Sequence, residues 1–163
     1  MLIRRVLLGA AAGYAANRCM DLATSWFYAR QSDESRAKEE EVLPGGALVA
    51  GGRDMARMMG IEDPDDETVA RLGLRMHRGG GVAYGILAAL AVAAGVRPMR
   101  AGLLVGAAAW LLVDEVLNAV QLEPSPGDFP IEAHARGVVG HAAFGAALGA
   151  ALTVAHPLLE RAR

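Results

Sequence analysis

The chain has 163 residues, enough for one ordinary domain, and 53% of them are hydrophobic. A formal net charge of −2 and an aromatic content of 5% offer neither a basic surface nor a stacking platform, so a nucleic-acid partner is not expected. The single cysteine, Cys19, excludes an internal disulfide framework and a cysteine-rich metal site.

Four segments are long and mostly apolar: about 4–28, 72–95, 101–121 and 132–155. A membrane-spanning helix needs roughly 20 such residues. The pattern therefore predicts an all-α polytopic membrane protein, one domain with four transmembrane helices and an outer loop at about 31–70. A soluble bundle with an alanine-rich core would show a polar face every 3.6 residues. Residues 86–96, ILAALAVAAGV, show none. The first segment, with Arg4 and Arg5 ahead of a short apolar run, also has the outline of a cleaved leader. Retention is expected, because a later segment repeats it.

The loop from Gln31 to Ala70 holds 11 acidic and 4 basic residues. Within it, Met55, Met58 and Met59 fall near one helical face. This suggests a short helix lying at a membrane surface or on the outer end of the bundle. Asp63 and Pro64 read as the cap and first residue of the next helix, which then runs to Val96. Arginines flank the short connections on one side: Arg4 and Arg5, Arg97 and Arg100, Arg161 and Arg163. The positive-inside rule then places both termini on the cytoplasmic side and the acidic loops outside.

Leu7–Ala12 and Leu104–Ala109 match at a shift of 97, and residues 83–85 match 143–145 at a shift of 60. The expected architecture is two parallel repeated helical hairpins. Each spanning segment also carries a GxxxG pair: Gly9 and Gly13, Gly81 and Gly85, Gly102 and Gly106, Gly145 and Gly149. Small residues at that spacing let helix backbones approach closely.

Polar residues within apolar segments are costly and mark sites of interest. Asp114, Glu115 and Asn118 interrupt the third segment. The repeat sets them opposite Asn17, Arg18 and Asp21. With His141 on the fourth segment these form the expected intramembrane cluster, in which Arg18 offsets part of the carboxylate charge. His77, Glu132 and His134 are possible additional members. Such a set could bind a cation or relay protons, or it could only fix helix register. No ligand spacing for a metal, no cofactor fingerprint and no catalytic motif appears, so an enzyme is not expected.

The runs Arg100–Ala107 and LEPSPGDFP, followed by Gly140-His141, resemble the YagU-like inner-membrane proteins, a bacterial family of unknown function. Arg53-Asp54, Gly60–Pro64 and His77 are similar in order. The chain departs from that pattern in carrying Asp114 where a histidine is usual. The resemblance implies a small polytopic inner-membrane protein and supplies no catalytic residues. The expected function is an accessory or scaffold subunit of a membrane assembly, contacting membrane lipids and other subunits or a second copy of itself. The alternative is proton, ion or small-solute handling through the polar cluster.

Overall fold

The computed structural model describes residues 2–112 and 124–160. Its α-helices are α1 (Leu2–Tyr28), α2 (Asp33–Val42), α3 (Gly46–Met58), α4 (Asp66–Ala93), α5 (Pro98–Ala109) and α6 (Ile131–Glu160). A short 3-10 turn at Pro126–Asp128 precedes α6.

Local chemistry sets these boundaries. Ser32 caps α2, its hydroxyl accepting the Ser35 amide at 3.1 Å. The cap of α4 is Asp65, which accepts the Thr68 amide at 2.7 Å. The helix therefore starts two residues beyond the expected Asp63-Pro64 cap, and it ends at Ala93 rather than Val96. Gly95 follows with φ 102°, its amide donating to the Val92 carbonyl and that of Val96 to Ala91. This left-handed turn is open to glycine and satisfies carbonyls the helix end leaves free. Gly60 closes α3 in the same way. Pro98 opens α5 at a position where a missing amide costs nothing.

The α1 helix lies along α4 and α6, α5 lies along α6, and α3 packs on the first half of α4. Phe144, Leu148 and Leu152 of α6 form the fully buried stripe, surrounded by Ala12, Ala16, Ala88, Ala89, Val92 and Ala101. Tyr84 meets Phe144 edge to face, with ring centroids 6.4 Å apart.

Glycines set the helix separations. A Cβ on Gly85 would lie 2.6 Å from the Gly13 Cα, and one on Gly9 would lie 2.7 Å from the Gly85 carbonyl oxygen. Gly106 meets Gly145 and the His141 carbonyl, while Gly102 meets Gly145 and Gly149. The first seam joins α1 to α4 and the second joins α5 to α6, both antiparallel. In these contacts Gly9 and Gly13 hold the places of Gly102 and Gly106. The expected alignment, which matched Gly9 to Gly106, is displaced by one helical turn. A further seam, Gly52 against Val69 and Gly73 against Leu48, holds α3 on α4. The buried face of α3 is thus Gly51, Gly52 and Ala56, while Met58 and Met59 are exposed.

The expectation of four membrane-spanning helices is overturned. Among the described residues, only the stretch Ile131–Pro157 of α6 is long and apolar enough to cross a membrane. The charges explain the difference. Arg4, Arg5, Arg18 and Asp21 lie on α1, and the first half of α4 carries Asp66, Glu67, Arg71, Arg75 and Arg78. The apolar helix beginning at Pro98 is described only as far as Leu112.

The seams make opposite forecasts for two glycines of one helix. Gly85→Ala forces α1 away from α4 and should destabilise the fold by about 1–3 kcal/mol. Gly79 faces open space, and Gly79→Ala should stabilise by about 0.5–1 kcal/mol through helix propensity. Thermal unfolding followed by circular dichroism distinguishes them; equal effects of the two would contradict the seam.

Asp65 generates a pH forecast. Hydrogen bonding to the Thr68 side chain and amide, assisted by the charge of Arg71, holds its carboxyl below the ordinary value of 3.8. A carboxyl lowered on folding stabilises the helix start above that ordinary value and loses the effect as pH falls through the folded value. Amide exchange in the first turn of α4 should therefore accelerate, relative to its intrinsic rate, only below about pH 4, and Asp65→Asn should flatten that dependence.

A polar node between two helices

The antiparallel α1–α4 seam runs from Gly9 beside Gly85 to the C-terminal half of α1 beside the first half of α4. One turn beyond the last glycine contact, Asn17 takes the space that a side chain at Gly81 would fill. A Cβ there would lie 2.9 Å from the Asn17 Cβ and Nδ2. Asn17 is only 3% exposed. Its amide nitrogen donates to the His77 carbonyl at 3.4 Å, and its oxygen accepts from the Arg78 guanidinium.

Asp21, one turn further along α1, bridges the same two residues of α4. Its Oδ1 is 2.9 Å from His77 Nε2, and its Oδ2 is 2.6 Å from the Arg78 guanidinium. The Arg78 guanidinium also lies 5.8 Å from the centre of the Tyr14 ring. Asn17, Asp21 and Tyr14 share a side of α1 because their spacings are three, four and seven residues. His77 and Arg78 present adjacent side chains to them across the seam. Both oxygens of Asp21 are engaged, and the node is partly shielded from solvent.

The expected members of the polar cluster separate. Asn17 and Asp21 belong to the node, and His77, expected only as an additional member, is central to it. Arg18 is 62% exposed and lies 3.9 Å from Asp21 on its own helix, so Arg78 is the closer counter-ion. His141 is buried on α6, and its backbone carbonyl faces Gly106 in the other seam. His134 hydrogen-bonds the Pro126 carbonyl at 2.9 Å and fastens the 3-10 turn to α6. Glu132 sits in the first turn of α6, where its charge complements the helix dipole. Asp114, Glu115 and Asn118 lie outside the described residues.

A second polar node joins α6 to α2. Arg136 reaches both oxygens of Glu39, with the longer contact at 3.0 Å, and also donates to Gln31. Gln31 donates to the Ser35 hydroxyl at 3.0 Å and to Glu39. The Arg136 guanidinium lies 5.1 Å from the centre of the Tyr28 ring. A two-point contact between planar groups fixes direction as well as distance. It ties the strongly charged α2 to the start of α6. Nothing local in the sequence distinguishes Arg136 and Glu39, which are 97 residues apart.

Chemically, the first node offers a carboxylate shared by an imidazole and a guanidinium. An open groove among the described residues, lined by Lys38, Glu41, Val42, Pro124, Gly127 and Asp128, lies away from it. The groups of the node are turned toward one another across the helix pair, an arrangement suited to fixing register. Comparison with family models, with curated proteins and with solved structures gives no match.

If the node fixes register, Asp21→Ala and Arg78→Ala should each destabilise by about 1–3 kcal/mol, because each leaves a partly buried charge without its partner. The double variant should cost clearly less than the sum, with a coupling of about 0.5–3 kcal/mol. Strict additivity in chemical unfolding would show that the two groups do not act as a pair.

Proposed function

We propose that this protein is a non-enzymatic accessory or scaffold subunit of a bacterial inner-membrane assembly. The observation that carries the reading is the distribution of side-chain size. Glycine and alanine dominate the helix contacts inside the bundle, and large apolar residues cover much of its outside. Ile3 is 76% and Val154 83% exposed, and Leu7, Leu22, Trp26, Leu87, Leu103, Leu104, Leu111 and Leu112 are also exposed. An apolar surface of this kind is suited to being covered by lipid or by another subunit. The α6 helix supplies the one candidate span among the described residues. This reading also suits the resemblance to the YagU-like proteins.

The polar node supports a structural role within that reading. Its hydrogen bonds connect α1 to α4, and the groove among the described residues lies elsewhere. A subunit that presents a rigid apolar face needs its helices locked in register, and dispersion between glycine seams is weakly directional. Hydrogen bonds supply the direction.

Purification in a mild neutral detergent followed by native mass spectrometry tests the proposal. The chain should carry a second copy of itself or a defined membrane subunit in fixed stoichiometry. Leu104→Gln with Leu111→Gln should dissociate that complex while leaving helical content unchanged. A wild-type chain that remains monomeric without a partner, or a complex indifferent to both substitutions, would overturn it.

A further inference from the structure

The helix pairings gather arginines at one end of the bundle. Gly9 of α1 lies beside Gly85 and Ala89 of α4, so the start of α1 is at the end of α4. Gly102 of α5 lies beside Gly149 of α6, which brings the start of α5 to the last turns of α6. Leu8, Val92, Val96, Ala101 and Leu152 pack in one core there. Arg4 and Arg5 thus share an end with Arg97 and Arg100. Asp and Glu are absent from the stretches around them, residues 2–8 and 94–105.

Two further observations give this end a chemistry. An exposed apolar collar adjoins the arginines: Leu2, Ile3 and Leu7 on α1, and Met99, Leu103 and Leu104 on α5. At the opposite end stand the acidic α2 and the Asp65-Asp66-Glu67 start of α4. The bundle is therefore electrically polar along its axis, and its basic end is bordered by apolar side chains. Cations placed beside apolar surface match the boundary between phosphate headgroups and acyl chains.

We infer that the Arg4–Arg5–Arg97–Arg100 end docks on the phosphate headgroups of anionic phospholipid, with the leucine collar entering the acyl region below them. The inference rests on the membrane reading above and adds a lipid class and an orientation to it. The opposite, acidic end faces away from that leaflet. Each arginine at an anionic surface strengthens binding about fivefold, and the effect decays within a Debye length.

The test uses the full chain in an uncharged detergent, with native mass spectrometry to count retained lipid and thermal unfolding as a second readout. Phosphatidylglycerol should be retained at least about tenfold more strongly than phosphatidylcholine, and the preference should shrink with salt. The variant R4Q/R5Q/R97Q/R100Q should lose the preference, while R71Q/R75Q, which removes two exposed arginines from the other half of α4, should keep it. Equal retention of the two lipids by the wild type overturns the inference and leaves the membrane reading standing. Retention of neither lipid removes both. Competition by free glycerol phosphate at the same concentration shows an anion site without a lipid requirement, and that also overturns it. If the fourfold variant does not fold, the wild-type preference and its salt dependence decide the matter.

Discussion

Close backbone contact between α1 and α4 is the constraint on which the remaining structure depends. At Gly13, Gly81 and Gly85 the helices approach so nearly that a single methyl group would meet a neighbouring atom of the facing helix. This approach places Asn17 over the bare face of Gly81 and brings Asp21 within hydrogen-bond reach of His77 and Arg78. At a wider separation the same polar side chains would not span the gap. The polar node is a consequence of the glycines, and in turn it selects one register among those that small residues permit. Each contribution alone is weak. Glycine contacts bury little apolar surface, and a partly exposed ion pair adds little by itself. The two act on the same degree of freedom, the sliding of α1 along α4.

The same division of labour recurs where α2 joins the bundle. That helix is highly charged and makes few contacts with the core, so packing alone would hold it loosely. Arg136 replaces packing with directed bonds to Glu39 and Gln31, in a site where Gln31 and Ser35 are buried. Both nodes lie toward the end of the bundle that carries the acidic elements. The arginine end has no described node of this kind, and its cations remain free of acidic neighbours in sequence. Among the described residues, the directed polar contacts between helices thus gather toward one end of the bundle.

Much of the helical framework is legible in the sequence. Prolines, glycines with positive φ and an apolar alanine-rich composition mark the helices, and the GxxxG pairs name the residues that form the two main seams. The α4 cap is ambiguous in sequence because Asp63-Pro64 and Asp65 both fit the rule; in the structure Asp65 takes the role, bonded to both the amide and the side chain of Thr68. Asn17, Asp21 and His77 are identifiable as polar groups in apolar surroundings. Arg78 escapes notice because it stands at the edge of an apolar run, where an arginine reads as a flank. Arg136 and Glu39 carry no local signal, since their partnership exists only once α2 folds back on α6. For α1 and α4, apolar length alone overstates the spans because it neglects the charges they carry; among the described residues, Ile131–Pro157 of α6 is the one stretch fit to cross a membrane.

The functional reading follows from a balance of magnitudes. Exposing a large aliphatic side chain forfeits about 1.5–3 kcal/mol relative to full burial, and this chain exposes many on α1, α4 and α5. A register lock such as the Asp21 node is worth only a few kcal/mol. Covering the outer leucines therefore outweighs it, which is the ground for the proposed covering by lipid or by another subunit. Alanine and glycine line most of the helix contacts around the buried Phe144, Leu148 and Leu152, while many other large apolar side chains lie outside. On the proposed reading the interior fixes shape and the exterior does the binding.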